Sequence, residues 1–212
     1  MNTISTFKRA RANGKIKFLV LFTLSVLFTQ TAFGQVKIGA TMGFNVASIV
    51  DNSDTEWGSM FGFRGGVIVD LGLAKFFSIV PEVLFSQKGF ELDMQGTTVT
   101  TTINYIEVPV SLALKLKIAR NTRITISPGA YAAYAFSGNI KTTEGDKEKL
   151  DIGTGEDNLI SPLDFGLSLA LGLEVKHVIF RFQFHPGLAN ISSDKTYGAV
   201  NSAISMSLGC FF

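Results

Sequence analysis

Apolar and polar residues alternate along most of this chain. In Ile204-Ser205-Met206-Ser207-Leu208-Gly209-Cys210, one set of positions is Ile, Met, Leu and Cys and the other is Ser, Ser and Gly. Successive strand side chains point to opposite faces, so the segment has one oily face and one small, polar face. The same period of two runs through Val36 to Val46 and Val178 to His185. Eight strands are predicted: Gln35 to Ala47, Phe61 to Leu73, Phe76 to Lys88, Thr98 to Lys117, Arg123 to Phe136, Leu163 to Val175, His177 to Ala189, and Val200 to Phe212. Each reaches the roughly 9–11 residues that a tilted membrane strand needs.

The connections alternate in length. Those near Ala74, Ala119 to Thr122 and Lys176 are short, whereas Ser48 to Met60, Gly89 to Thr97, Ser137 to Pro162 and Asn190 to Ala199 are longer. Tight periplasmic turns, longer extracellular loops and both ends on the periplasmic side describe an all-β, eight-stranded antiparallel transmembrane barrel. A soluble barrel would turn its oily face inward and its polar face to water. The small Gly, Ala, Ser and Thr side chains of the polar face suit a narrow interior better, and a closed ring leaves no unpaired strand edge in lipid.

Ahead of the first strand, Phe18 to Phe28 is an apolar run preceded by Lys8, Arg9, Arg11, Lys15 and Lys17 and followed by Ala32-Phe33-Gly34. This reads as a cleaved secretory signal peptide over residues 1–34, with a single barrel domain over 35–212. The run is too short for a membrane helix. The leader holds five of the 19 bases and none of the 17 acids, so the remainder carries 14 against 17, a net −3. The basic balance thus belongs to the leader, and no nucleic-acid partner follows from it. Cys210, the single cysteine, has no internal partner for a disulfide.

Three segments and the aromatic ending carry a resemblance: Pro81-Glu82-Val83-Leu84-Phe85-Ser86-Gln87-Lys88-Gly89, Tyr105-Ile106-Glu107-Val108-Pro109, and Gly187-Leu188-Ala189-Asn190-Ile191. With them the chain resembles the PorT-like outer-membrane β-barrel family across the whole mature region. The resemblance implies a small barrel in the cell outer membrane, and a role in secretion of other proteins is one activity that it raises. Phe212 resembles the terminal aromatic recognised by barrel-assembly machinery.

Strand phase sends Arg64 and Asp70, Glu82, Glu107 and Lys115, and Arg181 and Gln183 to the interior. An eight-stranded barrel is just wide enough to be filled by side chains, and unpaired charge there is costly. Arg64, Asp70, Glu82, Glu107, Lys115 and Arg181 are therefore expected to form one structural network, with Arg181 reaching both Glu82 and Glu107. A filled lumen argues against bulk transport. Glu82 and Glu107 as an acid–base pair is the enzymatic alternative. His177 and His185 make no metal-ligand motif, and no cofactor is implied. Gly166-Leu167-Ser168-Leu169-Ala170 lacks the final glycine of a hydrolase elbow and lies in a strand. A lipid-modifying enzyme would need His185 to meet a serine and an acid from separate strands.

The long connections hold Asp51, Asp54, Glu56, Glu91, Asp93, Glu144, Asp146, Glu148, Asp151, Glu156 and Asp157. Acidic, glycine-bearing loops suit solvation, and Ser137 to Pro162 is expected to be mobile and able to carry binding. Trp57, Phe61, Phe63, Phe76, Phe77, Tyr134, Phe136 and Phe165 near strand ends fit aromatic belts at the bilayer interfaces. The expected partners are outer-membrane lipid, the barrel-assembly machinery, and an extracellular or secretion-system protein. A non-enzymatic surface or envelope module comes first, a secretion accessory second and a lipid-modifying enzyme third.

Overall fold

Among the described residues, nine antiparallel strands follow one another: β1 (Val36–Val50), β2 (Gly58–Gly72), β3 (Phe77–Met94), β4 (Thr97–Ala119), β5 (Thr122–Thr142), β6 (Lys147–Lys149), β7 (Leu163–Val175), β8 (Val178–Pro186) and β9 (Val200–Phe211). The computed structural model describes residues 36–51, 57–94, 96–153, 160–192 and 198–212. The expected leader over 1–34 lies outside the described residues.

The sheet runs β4-β3-β2-β1-β9-β8-β7-β5, and β4 also pairs with β5, which closes a ring of eight. The short β6 lies outside the ring, paired to the far end of β5 through Asn139↔Lys149 and Lys141↔Lys147. First and last strands meet in long register, from Gly39↔Phe211 to Val50↔Val200. Every ring strand therefore has two neighbours.

The alternation sorts the ring's faces as expected. Met42, Phe44 and Val46 of β1 point out while Thr41, Asn45 and Ala47 point in, and Leu167, Leu169 and Leu171 of β7 point out while Ser168 and Ala170 point in. Exposing so continuous an apolar surface is tolerable only against hydrocarbon or another apolar surface. The interior is less uniformly small and polar than the pattern implies. Ile68, Val80, Ala113, Ile179 and Phe211 form an apolar cluster inside the ring toward the end with the short turns. A second cluster, of Ile103, Tyr105, Tyr131, Ala133, Ala135, Leu150 and Ile160, lies toward the other end.

Strands run past their predicted limits at the loop end, β1 to Val50 and β2 from Gly58 by a little, β3 and β5 by much more. The expected loop from Gly89 to Thr97 is mostly β3 and β4, paired to Met94↔Thr97 and turned through Gly96 at φ 93°. Likewise β5 continues past Phe136 to Thr142. The apolar face stops at Phe85, Ile106 and Phe136, but ladder pairing does not require an apolar face, and threonine is itself a good strand former. In contrast, β8 ends at Pro186, short of the expected Ala189. Proline offers no N–H to the ladder, and the chain turns so that Leu188 and Ala189 both donate to the Phe165 carbonyl, at 2.8 and 3.1 Å.

Candidate functional site: a charge-filled lumen beneath a polar wall

Arg181 on β8 meets Glu82 on β3 across the lumen. Its Nη1 donates to Glu82 Oε1 at 2.6 Å and its Nη2 to Oε2 at 2.7 Å, with a further bond from Nη2 to Thr41 Oγ1 at 3.2 Å. This is the two-pronged geometry that a guanidinium is shaped for. Gly172, opposite Arg181 in the ladder, leaves the room: a Cβ there would stand 2.4 Å from Thr125 Oγ1 and 3.3 Å from Arg181 Cγ.

The expected reach of Arg181 to Glu107 is not made. Glu107 stands opposite Leu84 rather than Glu82, toward the loop end. A shift of two residues along a strand is about 7 Å, enough to give the two acids different partners. Glu107 takes Lys88 Nζ at 2.8 Å and Arg64 Nη2 at 3.4 Å instead. Lys88 also pairs with Asp164 at 3.2 Å, and its ammonium lies 4.1 Å from the centroid of the Tyr131 ring. Asp164 accepts from Asn201 Nδ2 at 3.0 Å and from the Tyr131 hydroxyl at 3.3 Å. Asn45 on β1 donates to Ser86 Oγ at 2.9 Å.

Nearer the turn end, Lys115 pairs with Asp70, while Glu174 accepts from Lys37 at 3.0 Å and Arg123 at 3.2 Å. The six predicted interior charges thus fall into three groups rather than one network: Arg181 with Glu82, Arg64 with Glu107, and Lys115 with Asp70. A small cavity beside the lower cluster, bounded by Ile68, Asp70, Lys115, Glu174, Arg181 and Phe211, has a volume of about 20 Å³, room for about one water.

Lys88, Asp164, Glu174 and Lys37 were missing from the predicted set. Strand phase carries a signal for all four, since Lys88 is in step with Glu82 and Ser86, Asp164 and Glu174 with Ser168, and Lys37 with Thr41 and Asn45. His185, weighed as a base, is buried in the lumen with its Nε2 2.9 Å from Arg64 Nη1, and the same nitrogen of Arg64 donates to Ser205 Oγ at 2.5 Å. A guanidinium therefore occupies the place between serine and imidazole where a proton would pass in a nucleophilic triad. Ser168 is an inward position of β7, and His177 lies in an exposed turn.

Above the lumen, β3, β4 and β5 form a wall. Pairing of β5 with β7 stops at Tyr134↔Leu163, but β5 remains paired to β4 as far as Thr142↔Val99. The outer face changes character along single strands: Ile106, Val108 and Val110 give way to Asn104, Thr102 and Thr100 on β4, and Phe136 to Ser137, Asn139 and Lys141 on β5. A β-bulge between Asn104 and Tyr105 sits at this boundary. Asn104 binds Gln87 at 3.0 Å and Ser137 at 2.9 Å, and Thr100 donates to Glu91 at 3.2 Å, so polar rungs join all three strands.

The long connection expected to be mobile is partly seated. Leu150 donates its N–H to the Gly138 carbonyl at 3.1 Å, Ile160 makes bridges to Ile152 and Ser192, and Leu150 and Ile160 pack on Ile103 and Tyr105 over the lumen mouth. Residues 154–159 lie outside the described residues, as do Asp54 and Glu56. Glu91 and Asp93, expected in a loop, stand on β3. Phe61, Phe63, Tyr134, Phe136 and Phe165 are exposed near the wall's base, and Phe76 and Phe77 near the opposite end. Phe212 is 83% exposed, with its N–H donated to the Ile38 carbonyl at 2.9 Å.

No curated protein matches the sequence. Among solved structures, the chain is similar to Ail, the attachment invasion locus protein of Yersinia pestis, solved with the heparin analogue sucrose octasulfate, at 10% identity and a TM-score of 0.46, covering 84% of this chain and 100% of that one. Neisserial surface protein A is similar at 10% identity and a TM-score of 0.48, over 84% and 100% of the two chains. OprG of Pseudomonas aeruginosa is similar at 10% identity and a TM-score of 0.42, over 84% and 94%. A family described as "Outer membrane protein beta-barrel domain" matches residues 28–193. The chain belongs to that family of outer-membrane β-barrels.

Proposed function

We propose that this outer-membrane barrel is a non-enzymatic surface-interaction module that acts through the extracellular wall of β3, β4 and β5 and the loops around it. The carrying observation is the contrast between a filled lumen and a raised polar sheet. The interior offers ion pairs and packed side chains in place of a cleft or a channel, while the wall places Thr98, Thr100, Thr102, Asn104 and Asn139 on a stiff, outward-facing surface. Rigid scaffolds that lift polar residues clear of the membrane suit recognition.

Joint substitution of Thr98, Thr100 and Asn139 by lysine is the test. Barrel insertion, read by heat-modifiable gel migration and surface proteolysis, should stay intact while adhesion or aggregation of cells carrying the protein falls to that of a deletion strain. Unchanged adhesion alongside altered membrane-lipid composition in the deletion strain would favour the lipid-modifying reading instead.

The resemblance to PorT-like proteins supports a second reading, an accessory role in protein secretion. Isolation of intact outer-membrane complexes with a stable secretion partner, together with retention of secreted proteins on deletion, would favour it. In either case we propose that the exposed aromatic ring of Phe212, beside β1, is a contact for barrel-assembly machinery. Phe212→Ser should then slow assembly in cells while leaving refolding of purified protein into lipid unchanged.

A further inference from the structure

The three hairpin turns facing the periplasm each carry one base: Lys75 between β2 and β3, Arg120 between β4 and β5, and Lys176 between β7 and β8. All three are exposed, as is Lys117 at the foot of β4, and none has an acidic partner among the described residues. Asp70 and Glu174, the acids toward this end of the strands, are buried and already taken by Lys115 and by Lys37 with Arg123.

The turns are contiguous. Lys115 N–H donates to the Phe76 carbonyl at 2.7 Å, tying the first turn to the foot of β4, and Lys176 N–H donates to the Asn121 carbonyl at 2.9 Å, tying the third to the second. The cations therefore form an arc of a single sign. The opposite end is mixed, with exposed Asp93, Glu144, Asp146 and Glu148 alongside Lys141, Lys147 and Lys149. Directly beside the arc, Phe76, Phe77, Leu116, Ile118, Val175 and Val178 are exposed on the outer face. The bases thus stand where hydrocarbon gives way to headgroups.

A second observation concerns Lys176 itself, which adopts φ 55°. Tight hairpin turns favour Gly, Asn or Asp in this left-handed conformation, and a long side chain there costs backbone free energy. No ion pair within the described chain offsets that cost.

We propose that this arc is a docking surface for acidic phospholipids of the periplasmic leaflet, with Lys75, Arg120 and Lys176 holding their phosphate-bearing headgroups. Basic residues clustered at a membrane boundary attract anionic lipid in this way, and the attraction is screened by salt. The inference rests on the outer-membrane location and is independent of the surface role proposed above.

The test uses the full barrel in phosphatidylcholine vesicles containing spin-labelled phosphatidylglycerol or spin-labelled phosphatidylcholine, reading the fraction of label held at the protein surface. The wild type should prefer the acidic lipid about fivefold, the worth of one well-placed base. The preference should fade at about 0.5 M salt, where screening is short-ranged. A Lys75→Gln, Arg120→Gln, Lys176→Asn variant should hold both lipids equally, while Lys176→Arg should keep the preference.

Wild-type protein without a preference, or a triple variant that retains it, overturns the proposal. Should the triple variant fail to insert, the three single variants replace it: each is expected to lose part of the preference, and no loss in any of them overturns the proposal. Displacement of the acidic lipid by millimolar inorganic phosphate at constant ionic strength would mark a soluble-anion site and overturn the lipid assignment.

Discussion

The membrane-spanning belt and the wall above it are built from the same strands yet face different solvents. On β4, the outer positions from Ile106 to Leu116 are aliphatic and the outer positions from Asn104 to Thr98 are polar, while the backbone ladder to β3 and β5 runs through both. The ladder is indifferent to what lies outside, because its hydrogen bonds are satisfied by neighbouring strands in either medium. Side chains on the outer face respond to the medium. The comparison teaches that strand length here is set by pairing partners, and membrane height by outer-face chemistry.

The inner face shows a different rule, since it is enclosed throughout and must satisfy its own charges. Lys88→Met should have the largest effect, because it leaves Glu107 and Asp164 close together without their shared cation. A loss at the upper end of about 3–5 kcal/mol is expected, read by urea unfolding in lipid vesicles. Arg181→Met should cost about 3–4 kcal/mol by stranding Glu82. Adding Glu82→Leu should recover most of that loss, since a dry pair replaced by apolar side chains is often neutral.

The belt and wall are separated by a matched pair of substitutions on β4. Leu112→Arg should destabilise by about 2–4 kcal/mol, the cost of a lipid-facing charge near the bilayer centre, whereas Thr102→Arg should change stability by less than about 0.5 kcal/mol, as for an ordinary surface site. Equal effects would erase the proposed boundary at Asn104. Between these two in size stands Leu150→Ala, expected to cost about 2 kcal/mol and to speed protease cleavage in the connection it anchors. Lys176→Gly should stabilise by about 1 kcal/mol, read as a higher unfolding midpoint, by removing a left-handed lysine.

Much of the barrel was legible from a period of two. Glu82, Glu107 and Arg181 are inward in the sequence pattern for the same reason that Val83, Val108 and Phe182 are outward. The wall was legible as strand on β4, predicted from Thr98, but not where β3 and β5 extend it beyond Lys88 and Phe136, because the oily face that marks those strands ends at Phe85 and Phe136. The lumen's apolar clusters were also hidden, since an inward Ile68 or Ile103 reads in the sequence as an interruption of a small, polar face. Seating of Leu150 and Ile160 over the mouth joins residues that the pattern left in a loop.

By itself, the sequence determined the class of architecture, the direction of each strand's two faces and the crowding of charge inside, because a two-residue period is a local property of the backbone. Only the tertiary structure decided that Arg181 meets Glu82 while Arg64 and Lys88 share Glu107. Those pairings join residues 99, 43 and 19 positions apart, and ladder register and ring closure set the height at which each side chain enters the lumen.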